Sequence, residues 1–156
     1  MKTSKGKMYL KFIRLMLYRI FKGEWQLPAV SEITGEELLQ RINSNQPPLL
    51  IDVRTTQEFN SGFGHIPNAR SIPMMEFEAE FKDPRSFKEK VMELTSNFED
   101  FQAFKDTQVV TICPGGGMSL VAAEMLAEEN FQDVSSLKGG IDLWFKNGYP
   151  TTNSLN

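Results

Sequence analysis

Residues 109–119 read VVTICPGGGMS, and the reading of this stretch decides the fold. VVTI has the length and β-branched character of a strand buried on both faces in a parallel sheet. Cys113 follows it directly. Pro114 and three glycines then lead to Ser119–Glu129, where Ala122, Ala123, Leu126 and Ala127 fall at helical packing positions. The order is strand, cysteine, glycine triplet, helix. In open α/β sheets the ligand crevices lie at the carboxyl ends of strands, where this cysteine stands. Consecutive glycines let backbone N–H groups converge on one point as an anion nest. The helix behind adds its unpaired N–H groups and the positive end of its dipole. A sulfur held there is favoured as a thiolate. The same cradle suits a bound sulfur, an oxyanion or a phosphate, although Pro114 supplies no donor. The plain alternative is a buried cysteine beside an ordinary turn. Three successive glycines weigh against it, because a turn alone does not need them.

Working outward, Leu49–Val53 (LLIDV) reads as a second buried strand, closed by Asp52 and Arg54. Arg70–Ile72 and Val134–Leu137 read as two more. Thr34-Gly-Glu-Glu37 is a capping box that opens a helix over Gly35–Asn43. Gln57–Ser61 is a helical turn, broken by Gly62-Phe-Gly64. Pro73–Lys105 has helical spacing, is split at Pro84, and offers Phe81, Phe87, Phe98, Phe101 and Phe104 as a buried face. Ile141–Lys146 is a last helix with Trp144 and Phe145 expected in the core, and Gly148-Tyr-Pro150 ends it. Trp25–Ser31 reads as a linker interrupted by Pro28. Strands alternating with helices predict an α/β fold, a parallel sheet of about five short strands with helices on both faces.

The chain has 156 residues, the length of one domain. Its 40% hydrophobic and 24% charged content excludes a disordered tail or a fibrous repeat. A single cysteine excludes an intrachain disulfide and a CxxC redox pair, and a single histidine excludes a multi-histidine metal site. Neither metal nor cofactor is expected. Residues 1–23 carry seven of the seventeen basic residues and no acid, so the remainder sets ten bases against twenty acids, a balance of −10. So acidic a body is no partner for nucleic acid. Residues 1–23 are thus expected to be a separate unit, 24–30 a linker, 31–152 the domain and 153–156 a tail. Within the first unit, residues 8–22 (MYLKFIRLMLYRIFK) have the spacing of an amphipathic helix with a narrow basic stripe. The longest apolar run, Leu15–Tyr18, is far short of the ~20 residues needed to span a bilayer. Three readings stand open: a helix lying on an anionic membrane surface, one packed on its own domain or a second copy, or a removable presequence. Cysteine usage fits a reducing, cytoplasmic setting, with peripheral membrane contact as one expectation.

Three stretches together resemble a rhodanese domain, over about Ser31 to Thr152. The first is Ile51-Asp-Val-Arg54, then Glu58-Phe59 and His65-Ile-Pro-Asn-Ala69. The second is Cys113-Pro-Gly-Gly-Gly-Met-Ser119 with Ala122-Ala123 and Leu126. The third is Leu137-Lys-Gly-Gly-Ile-Asp-Leu-Trp144 with Gly148-Tyr-Pro150. The resemblance implies a sulfurtransferase in which Cys113 takes a sulfane sulfur, becomes a persulfide, and passes the terminal sulfur to a thiol or cyanide. It implies that Pro114, Gly115, Gly116, Gly117, Met118 and Ser119 bind the substrate. The N–H groups of Gly115 to Ser119 would stabilise charged sulfur, and Ser119 would add a hydroxyl. A small sulfur donor and a thiol acceptor, including a thiol on a sulfur-carrier protein, are the partners implied.

The family's loop often carries arginine where this chain has Met118, and no residue from Cys113 to Ser119 is basic. Thiosulfate, a dianion, gains from a fixed positive charge, so a persulfide or polysulfide donor fits this loop better. The related dual-specificity phosphatases have Cys-x5-Arg. Here the sixth residue after the cysteine is Ser119, so the bidentate phosphate clamp is missing. Asp52, Arg54 and His65 are expected to be structural elements near the site. Met74, Met75 and Met118 are candidates for an apolar mouth. The alternative function is a weakly active module of the same fold that docks on a membrane or partner.

Overall fold

The computed structural model describes residues 30–74, 89 and 107–154. The basic segment 8–22, residues 24–29 of the linker and nearly all of the Phe-rich stretch 73–105 lie outside the described residues. In chain order the elements are β1 (Ser31–Ile33), α1 (Gly35–Ile42), β2 (Leu49–Asp52), α2 (Thr56–Asn60), β3 (Arg70–Ser71), β4 (Val109–Ile112), α3 (Gly117–Glu128), β5 (Val134–Leu137) and α4 (Gly140–Lys146). The five strands form one sheet in the order β1-β5-β4-β2-β3, and every pairing is parallel. The expected α/β architecture is the one observed.

Strand residues alternate between two apolar layers, as a period of two requires. Ile51, Val53, Val109 and Val134 face α3 and pack with Leu120, Val121, Ala123 and Leu126. Leu50, Val110, Ile112 and Leu137 face the other way, onto Leu38 of α1, Phe59 of α2, and Ile141 and Trp144 of α4. Both faces of the central strands β4 and β2 are covered, which explains why LLID and VVTI read as unbroken apolar runs rather than alternating ones. The sheet thus presents all its carboxyl ends on one side, with α3 on one face and α1, α2 and α4 on the other.

Four element starts differ from the sequence reading. β1 begins at Ser31, inside what reads as a linker. Only Ile33 of its three residues is buried, so the segment carries almost no apolar signal. α3 begins at Gly117 rather than Ser119, and α4 at Gly140 rather than Ile141. In both, a glycine with positive φ stands at the N-cap, Gly116 at +92° and Gly139 at +74°. Phe145 is half exposed and stacks on Phe63 with ring centroids 4.4 Å apart, whereas Trp144 is buried and donates Nε1–H to the Pro150 carbonyl at 2.9 Å. A helix packed on one face of a sheet buries one stripe, and residue 145 is about 100° round from residue 144. α2 starts at Thr56 because Thr55 and Glu58 form a second capping box. Among the described residues no helix is long and apolar enough to cross a membrane.

Candidate active site

Cys113 is the first residue after β4, the strand lying between β5 and β2. It is 2% exposed and belongs to the apolar layer under α3, with Met74, Val121 and the partly buried Met118. Two groups approach its Sγ. The N–H of Gly116 donates to it at 3.1 Å, and the hydroxyl of Ser119 lies 3.2 Å away. α3 points its N-terminus at this position. Its first turn holds no acid, and its N-cap is a glycine with no side-chain cap. The N–H groups at the start of a helix have no partners within it. Here no capping side chain uses them, so they and the positive end of the dipole are left for negative charge at the sulfur.

The loop keeps its curl through close backbone packing. At Gly116 a Cβ would lie 3.1 Å from Gly139 N and 3.3 Å from the Leu137 carbonyl oxygen, and φ is +92°. At Gly140, φ is +63° and a Cβ would lie 2.2 Å from the Pro114 carbonyl oxygen and 2.3 Å from that of Cys113. A side chain fits neither position without strain. The close approach lets α4 clamp the loop: Ile141 N–H donates to the Cys113 carbonyl at 2.9 Å, and Asp142 N–H to the Pro114 carbonyl at 3.1 Å. Gly115 and Gly117 are different. Neither has positive φ, and a Cβ on either would meet nothing within 4 Å. Of the candidate substrate-binding residues, Gly116 and Ser119 are buried and touch the sulfur, whereas Gly115 is exposed and Pro114, Gly117 and Met118 are partly exposed.

Behind the sulfur lies a group of buried hydroxyls that sequence reasoning did not single out. Ser136 Oγ of β5 is 2.7 Å from Ser119 Oγ. Thr111 Oγ1 donates to the Ser119 carbonyl at 2.7 Å. The signal available in the sequence was two serines in an otherwise apolar strand, VSSL.

The expected structural residues pack on the other face of the sheet from the thiol. Asp52 and Arg54 are buried at the end of β2 and form an ion pair of 2.7 Å. The same guanidinium donates to the Glu58 carbonyl at 3.2 Å and the Gly64 carbonyl at 2.9 Å, tying β2 to α2 and the following loop. This corner lies on the face opposite α3. His65 is buried there too, stacked on Phe59 at 3.7 Å with Nδ1 3.0 Å from the Phe59 carbonyl. Its backbone exchanges two hydrogen bonds with Thr152. Asn68 takes φ +65° in the turn between them and β3, a conformation asparagine tolerates. Of the expected apolar mouth, Met74 and Met118 lie in the layer that holds Cys113, and Met75 is outside the described residues.

Comparison with known proteins fits this geometry. The family profile of the rhodanese-like domain matches residues 34–147. A sulfurtransferase of Allochromatium vinosum is 31% identical over 121 residues, which cover 78% of this chain and 94% of that protein. Thiosulfate sulfurtransferase 16, a chloroplastic protein of Arabidopsis thaliana, is 34% identical over 103 residues, covering 65% of this chain and 77% of the relative. Among solved structures, a rhodanese-like domain protein of Staphylococcus aureus superposes with a TM-score of 0.55 at 25% identity, over 78% of this chain and 98% of that one.

Proposed function

This chain belongs to the rhodanese-like domain family, and from that premise we propose that Cys113 is the sulfur carrier of a sulfurtransferase that draws on a persulfide or polysulfide. In the first displacement the Cys113 thiolate attacks the terminal sulfur of R–S–SH. The new S–S bond forms as the old one breaks, and R–S⁻ leaves with the electron pair. Cys113 is left as a persulfide. In the second, an acceptor thiolate attacks the terminal sulfur and expels the Cys113 thiolate; cyanide in the same role leaves as thiocyanate. The two steps balance without an outside oxidant or reductant. This is covalent catalysis split into two displacements, with fixed donors aimed at the charge that forms on sulfur.

One observation carries the reading: Sγ, at the carboxyl end of β4, receives the Gly116 N–H at 3.1 Å below a helix N-terminus with no cap of its own. The donor class follows from the loop, since no residue from Pro114 to Ser119 offers a cation for a dianion. A thiol acceptor, free or on a sulfur-carrier protein, completes the proposed cycle. The proposed domain spans 31–152 and works in a reducing, cytoplasmic setting, with residues 8–22 as the surface for a membrane or a second copy.

Intact-mass measurement after exposure to polysulfide tests the carrier role. The expected result is a gain of one sulfur atom that is lost in Cys113→Ser, and greater uptake from polysulfide than from thiosulfate at equal concentration. No gain with either donor overturns the carrier role and leaves the docking module. Greater uptake from thiosulfate overturns the donor class.

A further inference from the structure

Ser136 is wholly buried on β5, the strand beside β4. Its Oγ is 2.7 Å from Ser119 Oγ, which is 3.2 Å from Cys113 Sγ. Side chains from β5, α3 and the end of β4 thus form one line ending at the sulfur. Ser119 is held at its other end as well, since Thr111 Oγ1 donates to its carbonyl at 2.7 Å. Among the described residues, the hydroxyl of Ser119 is the hydrogen-bond partner found for Ser136 Oγ.

Counting protons gives this line a direction. A serine hydroxyl has one proton to donate. Suppose Ser136 donates to Ser119 and Ser119 donates to Sγ. Both hydroxyl protons are then used, and the sulfur receives a second donor beside the Gly116 N–H. In the opposite sense Ser119 donates to Ser136, and the Ser136 proton is left buried without an acceptor. An unpaired buried donor is costly. The favoured sense is therefore the one that ends on sulfur.

We infer that Ser136 is a positioning residue for sulfur transfer: by donating to Ser119 it holds the Ser119 proton on Cys113 Sγ. This inference rests on the reading of Cys113 as the sulfur carrier. The pair then favours the attacking thiolate in the first displacement and the departing thiolate in the second. No proton leaves either serine, because both act only as fixed donors.

Cys113 is the only cysteine, so alkylation of the full chain reports on it alone. The test is the rate of alkylation by uncharged iodoacetamide, in wild type, Ser136→Ala, Ser119→Ala and the double variant. Ser136→Ala is expected to slow the reaction at neutral pH by about threefold to tenfold. Ser119→Ala should slow it at least as much. The Ser136 change should add nothing once the Ser119 hydroxyl is gone. Ser136→Thr, which keeps the hydroxyl, is expected to restore the wild-type rate.

Two results would overturn the inference. One is an unchanged rate in Ser136→Ala. The other is equal slowing with and without the Ser119 hydroxyl, the mark of a packing effect. Alkylation needs no sulfur donor, so the cycle reads the hydroxyl line separately from transfer. A wild-type protein that takes up no sulfur removes the carrier reading even where the alkylation cycle stands.

Discussion

Two strand-to-helix turns lie side by side at the carboxyl edge of this sheet. One leads from β2 into α2, the other from β4 into α3, and the two strands are paired, Asp52 opposite Ile112. They spend their polar groups in opposite ways. At the β2 turn, Thr55 and Glu58 cap the helix reciprocally, and Asp52 and Arg54 satisfy each other. At the β4 turn the helix opens on Gly116 with no side-chain cap and no acid in its first turn. The thiol of Cys113 stands where a cap would be, its Sγ accepting from the Gly116 N–H. Position at a strand end does not by itself make a site, because both turns have it. What separates them is whether the N–H groups at the helix start are consumed within the fold or left for something bound.

The largest effect is expected at Arg54. Arg54→Ala would leave Asp52 buried without a counter-charge and free the Glu58 and Gly64 carbonyls. Removing one partner of a buried pair costs on the order of 3–5 kcal/mol. Chemical denaturation should show a loss of that size. If this turn is scaffold alone, alkylation of Cys113 in the fraction still folded should keep its wild-type rate. A tenfold slower rate there would show that the two turns are not separate in function.

How far the sequence discloses each turn follows from the same difference. Cys113, the glycine triplet and the VVTI strand stand out because a reserved turn needs unusual residues. The Thr55–Glu58 box is the ordinary [ST]-x-x-E pattern, yet the short α2 obscures its start. β1 is hidden because an edge strand of three residues needs a single buried side chain. Ser136 is hidden for another reason. VSSL identifies a strand, and its period shows that Ser135 and Ser136 face opposite sides, but not which side holds α3. That is fixed by the order of strands, a long-range property. Phe145 misleads because apolar type says nothing of azimuth at a helix edge.

A smaller effect is expected from giving the second turn what the first already has. Met118 is in the first turn of α3. Met118→Glu would put a carboxylate beside the unspent N–H groups and close to the sulfur. An acid in the first turn favours the helix by ~0.3–1 kcal/mol, partly offset here by lost apolar contact. The same charge opposes a negative sulfur. Alkylation of Cys113 should slow by about fivefold while the melting temperature stays near that of wild type. An unchanged alkylation rate would mean that the helix N-terminus does not act on the thiol.

The smallest effect lies at α1, where a third helix start repeats the capped arrangement in full exposure. Glu37 accepts from the Thr34 N–H at 2.9 Å and from the Thr34 hydroxyl at 2.7 Å. Those two hydrogen bonds, the backbone one first, hold its carboxyl below the ordinary value of 4.5, and Arg41 adds a weaker attraction. A carboxyl depressed by folding stabilises the fold above its unfolded value and loses that contribution as pH falls through the folded one. The stability difference between wild type and Glu37→Gln should therefore be steady at neutral pH and shrink below about 4.5. Glutamine still caps a helix in this position, so the difference isolates the charge. Urea denaturation of both proteins from neutral pH to pH 3 measures it. A difference that stays constant through the acid range would mean that the charge on Glu37 contributes nothing to its cap. The capped helices would then differ from α3 only in the geometry of their hydrogen bonds.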